Sequence, residues 1–329
     1  MITASSIAII CPTKNQPEKV KRLLTCLSAL DEKPAQVIIA DAGHNLKPVV
    51  EPFLDALPLE CLYSPEAGQI LQRNHARQHL ASPIRVVLHI DDDITVEPDF
   101  MACFLKCWNR ESQREGKPLA GMSFNTLDQL RLGNSILRRL FFLSTQPPGS
   151  VSRAGYAAPF TPTDQDRETS WLVGGTTAWS RDILTRYPHP FSYPTRWAVC
   201  EDQIYSYPLR MDYRLMVVKD IPCYHNETYS SMSFRQGIFY GVSSAIMRYH
   251  FIRQHDDMKT WAWLWMTTAV IMGNLARGLM GSPRHLGLFV GGLEGMIRGV
   301  LCSIIGGAST ILARSLAIRK RCISIPALS

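Results

Sequence analysis

The sequence predicts an α/β fold from three observations: short apolar runs alternate with helix-like stretches through the first hundred residues, those runs end in polar residues, and the chain becomes helical beyond about residue 230. Parallel neighbours need a crossover, usually a helix, so this alternation builds βα units around a largely parallel sheet. Residues 7–11 form the first strand, with Pro12-Thr13-Lys14-Asn15 as its exit, and a helix follows over about 17–30 with Pro17 at a tolerated early position. Val37-Ile38-Ile39-Ala40 is the second strand and ends at Asp41. Residues 59–63 make a short third strand, which leads through Gly68 into a helix over about 69–80. The fourth strand, Val86-Val87-Leu88-His89-Ile90, runs straight into Asp91-Asp92-Asp93. Ligands of open α/β sheets bind beyond the carboxyl ends of the strands, so Thr13, Asp41 and the aspartate triplet are expected to meet in one crevice.

The triplet is the sharpest chemical feature. Adjacent carboxylates repel one another, and a divalent cation or a cation-carrying substrate between them relieves that repulsion. Mg2+ is commonly held by one or two carboxylates together with substrate phosphates, which makes a nucleotide diphosphate the natural partner. A solvated acidic turn ahead of a helix starting at Pro98 is the other reading of the same residues.

Further along, residues 119–124 read as a strand, 143–169 as a long loop rich in Pro, Gly, Ser and Thr, and 171–179 as strand-like around Gly174 and Gly175. Glu201-Asp202 precede a helix reaching residue 211, and 215–218 form a last short strand. No internal repeat is present.

At 329 residues and 46% hydrophobic, the chain can bury a sizeable core and is not disordered. Nine cysteines without any CxxC spacing argue for reduced thiols in a cytosolic setting and against structural zinc. Met1 to Ser6 lacks the basic flank and apolar stretch of a secretory signal. From Arg248 onward there are ten Lys and Arg against three acidic residues, so the whole net charge of +7 lies in that segment, while 25 basic and 25 acidic residues balance elsewhere. The same segment is rich in Trp, Leu, Ile and Gly, which suits an anionic membrane surface better than nucleic acid. Its two apolar stretches, 261–280 and 286–308, are interrupted by Asn274, Arg277, Glu294 and Arg298, so a pair of interfacial or re-entrant helices is expected rather than a transmembrane hairpin. A helical subdomain packed on the core fits the same pattern. The expected division is a catalytic domain over residues 1–245 and a basic, apolar helical segment over 246–329.

Cys11-Pro12-Thr13-Lys14-Asn15, Asp41-Ala42-Gly43, Gly68 with Arg73-Asn74, Asp91-Asp92-Asp93 with Pro98-Asp99, Gly174-Gly175, and Cys200-Glu201-Asp202 stand in an order that resembles family 2 glycosyltransferases. The resemblance covers about residues 5–245 and implies a GT-A type, Rossmann-like α/β/α core with a mixed, mainly parallel sheet. It implies an inverting, metal-dependent transfer of a sugar from a nucleotide-diphosphate donor, a UDP-sugar first, to a glycan or lipid-linked acceptor, on the cytoplasmic face of the cell membrane. Pro12, Thr13, Asp41, Gly68, Arg73, Asn74, Asp91, Asp92, Gly175 and Arg235 would then surround the donor, with Asp41 at the base and Asp91 beside the ribose. Asp93, with His225, would hold Mg2+ or Mn2+; Asp202, or Glu201 beside it, would be the base.

Each position also has a plainer reading. Asp41 also suits a strand-end turn, Arg73 and Arg235 a helix surface, His225 a structural hydrogen bond, and Trp171 and Trp197 a packed core rather than a sugar face. If the extended conformation continues through the triplet, Asp91 and Asp93 share one face and Asp92 takes the other. The QxxRW motif of processive relatives is absent, so addition of a single sugar is expected. Ala42 and Cys200 depart from the family pattern, where a second Asp and a Gly are common. A nucleotidyltransferase shares this type of core but needs a Gly-rich loop after the first strand, and residues 11–15 contain no glycine. A non-catalytic, membrane-bound sugar-nucleotide-binding module is the third possibility.

Overall fold

A computed structural model describes residues 1–43, 46–129, 132–190, 193, 195, 199–226 and 232–305. Its strands are β1 (Ile7–Thr13), β2 (Gln36–Asp41), β3 (Leu59–Tyr63), β4 (Val86–Ile90), β5 (Ile94–Val96), β6 (Leu119–Thr126), β7 (Arg167–Glu168), β8 (Thr176–Ser180) and β9 (Arg214–His225). They form one sheet in the order β3-β2-β1-β4-β8-β6-β9-β5, with β7 against β9. The helices are α1 (Pro17–Ser28), α2 (Lys47–Val50), α3 (Gln69–Arg77), α4 (Phe100–Ser112), α5 (Ile136–Leu140), α6 (Arg181–Arg186), α7 (Glu201–Leu209), α8 (Phe234–Ile252), α9 (Thr260–Leu279) and α10 (Pro283–Ile305).

The β3-β2-β1-β4 block is wholly parallel, as the βα alternation requires; β8 then runs antiparallel to both β4 and β6, which makes the sheet mixed. Alternation of side chains along each strand divides the core into two layers. Ile7, Ile9, Val37, Ile39, Leu88 and Ile90 pack with α1 and α4, while Ala8, Ile10, Ile38, Ala40 and Val87 pack with α3, α6 and α7. Both faces are covered, which explains why these strands read as continuous apolar runs.

The third layer of contacts is helical. Met247 and Phe251 of α8 and Trp263 and Met266 of α9 bury against Ile204 and Tyr207 of α7. Helices α8 and α10 approach backbone to backbone: a Cβ on Gly291 would lie 2.0 Å from the Ile238 carbonyl oxygen, and one on Gly287 2.1 Å from that of Phe234. The glycines that interrupt the apolar C-terminal stretches are therefore its packing surface. Helix α8 runs through residue 245, where the sequence suggests the boundary of the catalytic part.

Four local readings change. The last strand is twelve residues long and ends on His225, so that histidine belongs to the strand rather than following it. Residues 171–175 are irregular and only the end of that run is a strand. Glu201 and Asp202 are the first residues of α7, not a preceding loop. Helix α4 starts at Phe100, two residues beyond Pro98. The loop expected over 143–169 carries only the two-residue β7 and an isolated bridge between Val151 and Ala157.

Candidate active site

The carboxyl ends of β1, β2 and β4 lie side by side, with Thr13 in register with Asp41 and Pro12 with Ala40. Helix α3 closes this end of the sheet. The Gln72 amide donates to the carbonyls of Thr13 (2.7 Å) and Ala40 (2.6 Å) and accepts from the N–H of Gly68 at 3.2 Å, so one buried side chain fixes both strand exits to the helix start. Asp41 is buried and accepts from the Gly43 N–H at 2.8 Å, which satisfies turn chemistry on one oxygen.

The triplet does not stay extended. A turn closes from the Ile94 N–H to the Asp91 carbonyl at 3.2 Å, so the three carboxylates go to three different partners rather than alternating across a strand. Asp91 accepts from Arg73 Nη2 and from Gln69 Nε2, each at 2.7 Å. Asp92 accepts from the Thr13 hydroxyl at 2.5 Å. Asp93 meets Lys19 Nζ at 3.2 Å on one oxygen and His225 Nε2 at 3.5 Å on the other. Burial raises the Asp92 carboxyl to about 6 against the opposing Thr13 hydrogen bond, and burial raises Asp93 as well. These are not solvated turn carboxylates.

Arg73 joins the triplet to the acidic pair of α7. It is 2% exposed, not a surface arginine, and its guanidinium reaches Asp91 on one side and Glu201 Oε1, at 3.9 Å, on the other. Burial raises the carboxyls of both Glu201 and Asp202; Glu201 is pushed further by the neighbouring charge, while backbone N–H groups, Gln203 at 2.7 Å among them, hold Asp202 down. The two glycines before β8 make room for this arrangement. A Cβ on Gly175 would sit 2.1 Å from Asp91 Oδ2, and one on Gly174 would lie 3.1 Å from Glu201 Oε1. Cys200, which caps α7, adopts φ 69°, the left-handed region where only a glycine would carry no strain.

Two expected donor residues lie elsewhere. Asn74 is buried but gives its amide to the His189 carbonyl at 3.1 Å. Arg235 is exposed on α8 with its guanidinium 5.8 Å from the Phe239 ring centroid. Trp171, half-buried, packs edge-on against Phe160, and Trp197 lies outside the described residues. Conversely, Lys19, Gln69 and Gln72 belong to the cluster without having been singled out. Gln69, Gln72 and Arg73 at i, i+3 and i+4 mark a polar stripe on one face of α3, a legible signal; Lys19, in the first turn of α1, carries none.

The donor set of Asp93 and His225 suits a divalent ion whose shell is completed by substrate. Asp93 Oδ1 is buried without a hydrogen-bond donor, and the imidazole beside it is the second available ligand. Among the described residues no group of three or more His, Cys, Asp or Glu could hold a metal ion.

No protein-family model matches the chain, and no curated protein matches its sequence. Solved structures match its fold. The mannosyltransferase PcManGT from Pyrobaculum calidifontis, in complex with GDP-Man and Mn2+, superposes with a TM-score of 0.53 at 13% identity, over 91% of this chain and 87% of that one. TarS 1-349 of S. aureus gives 0.49 at 14% identity over 92% of each chain. The chain thus has the glycosyltransferase GT-A type of fold, with a mixed sheet between helical layers.

Proposed function

We propose that this chain is an inverting, metal-dependent glycosyltransferase that moves one sugar from a nucleotide-diphosphate donor, a UDP-sugar first, to a glycan or lipid-linked acceptor in cell-surface polysaccharide or glycolipid synthesis. The observation that carries the reading is buried Arg73, which ties Asp91 at the sheet end to Glu201 at the start of α7. One guanidinium thereby couples the carboxylates suited to a donor with the pair suited to an acceptor, inside a fold shared with PcManGT, whose structure holds GDP-Man and Mn2+.

In this reading Asp41 and Thr13 flank the base, and Asp91 meets the ribose. Asp93 and His225 would hold Mg2+ or Mn2+, which when bound supplies charge neutralisation for the departing diphosphate. Burial raises both carboxyls, and backbone N–H groups hold Asp202 below Glu201, so Asp202 is the more readily ionised of the pair and the better base. Asp202 takes the proton of the acceptor hydroxyl, the freed oxygen attacks the anomeric carbon, and the bond from that carbon to the diphosphate breaks on the opposite side, which inverts the centre. Lys19, beside Asp93, adds positive charge at the same end of the sheet.

We further propose that the helical end rests on the inner face of the cell membrane. Leu286, Val290, Leu293, Ile297 and Leu301 of α10 are exposed at helical spacing, and Trp261 and Trp265 of α9 are 59% and 46% exposed beside α5, whose Ile136 is 86% exposed. Among the described residues no helix is long and apolar enough to cross a membrane, and an exposed apolar stripe on a basic segment supports a helix lying in the interface.

Thermal unfolding with UDP-, GDP- and dTDP-sugars in Mn2+ tests the donor, since a bound ligand stabilises by mass action. Stabilisation by one nucleotide class is expected; none by any of the three would refute the donor assignment. Sedimentation with anionic vesicles tests the surface, where salt-insensitive or absent binding would refute it.

A further inference from the structure

Helices α8, α9 and α10 line a partly open cavity of about 220 Å3. Trp263, Met266 and Leu288 give it an apolar wall, and Tyr240, Arg248 and Asn274 are polar members of the lining. Arg248 is half-buried, and its guanidinium lies within 4 Å of no carboxylate among the described residues; its Nη2 contact is Cys200 Sγ at 3.6 Å, and its Nε is buried without a partner. Withdrawing a guanidinium from water without a counter-ion is costly, and its planar fork suits a phosphate.

This end of the cavity adjoins the acidic pair. Cys200, which Arg248 of the cavity lining reaches at 3.6 Å, directly precedes Glu201 and Asp202. An apolar chamber with the Arg248 guanidinium at its active-site end has the polarity of an amphiphile with an anionic head. It is too small for a whole glycolipid, since sites for complete drug-sized ligands run from about 300 to 1,000 Å3.

We propose that this cavity is the acceptor's lipid subsite: it takes the segment of an alkyl or prenyl chain next to the phosphate that joins chain to glycan, with Arg248 pairing with that phosphate. The glycan hydroxyl is then directed towards Asp202. The proposal rests on the glycosyltransferase reading, but the site itself can be tested with no nucleotide present.

The experiment is calorimetric titration of the full chain with alkyl phosphates of increasing length below their micelle-forming concentration, with matching alcohols and inorganic phosphate as controls. Affinity should rise roughly fourfold per methylene, the factor that about 0.8 kcal/mol per buried CH2 gives, and then level off once the cavity is full. The phosphate should bind at least tenfold tighter than its alcohol. Arg248→Gln should remove that difference, and Val270→Trp, which fills the cavity from a half-exposed position, should abolish binding of both. Inorganic phosphate binding as tightly as the long-chain phosphate would overturn the proposal, as would no binding, a rise without plateau, or unchanged binding in Val270→Trp. The length series on wild type keeps the test decisive if a variant does not fold. Alkyl phosphate binding in a protein that binds no sugar nucleotide would leave the cavity site standing and remove the proposed transferase function.

Discussion

The sheet half and the helical half handle charge in opposite ways. Around β1, β2 and β4 the apolar residues are hidden, and the charges that enter the interior are paired: Arg73 with Asp91 and Glu201, and Asp93 with Lys19 and His225. In α8 to α10 the half-buried Arg248 lacks a carboxylate within 4 Å among the described residues, while Leu279, Met280 and Ile297 are left outside. A buried, paired charge costs desolvation that packing alone would avoid, so its persistence in a cluster marks chemistry. Exposed apolar side chains on a basic helix mark a surface that meets something other than water.

Breaking the chemistry of the first half should give the largest effect. Asp202→Asn is expected to lower transfer by about 10²–10⁴-fold while leaving donor affinity intact, the range for removing a general base. Steady-state kinetics beside a donor titration separate the two, and retained turnover would move the base to Glu201.

Breaking the charge network comes next. Arg73→Met leaves two carboxylates without their cation and should cost about 3–5 kcal/mol of stability, read by denaturant unfolding. A smaller loss tests the helical half through packing rather than charge: Gly291→Ala drives a methyl into the Ile238 carbonyl and should cost about 1–3 kcal/mol.

The pH dependence sharpens the contrast. Asp92 holds its proton to about 6 in the folded chain, against an ordinary 3.8, because it is buried. The folded state binds that proton more tightly than the unfolded state, so its contribution is complete below about 4 and is lost as pH rises through 6. Melting temperatures from pH 4 to 7 should fall in the wild type and fall less steeply in Asp92→Asn, since Asp93, Glu201 and Asp202 are raised by burial as well. The smallest effect belongs to the outer face: Leu279→Gln with Ile297→Gln should change stability by no more than about 0.5 kcal/mol while weakening vesicle binding.

Most of the sheet half was legible because its signals are local. Strands covered on both faces read as apolar runs, and a polar residue at the end of each run marks the crevice, which is how Thr13, Asp41 and the triplet were found. What was hidden depends on contacts distant in sequence. The turn after Asp91 breaks the alternation, Lys19 reaches Asp93 across 74 residues, and Asn74 answers to a carbonyl 115 residues away. The length of β9 was obscured because its second half pairs with β5 and β6, which compensates for the polar Lys219 and Asp220 within it. The glycines of α8 and α10 looked like interruptions to a membrane helix, and their role emerges only from the closeness of the two backbones.

The central claim is that the Asp91 to Asp93 turn binds a nucleotide-sugar together with a divalent ion. Calorimetric titration of the donor found by thermal screening, with Mn2+ and then with chelator, tests it most directly in wild type and Asp93→Ala. Saturable binding that disappears in both the chelated protein and the variant is the predicted result. Equal donor affinity with and without the ion, or in wild type and Asp93→Ala, would contradict it.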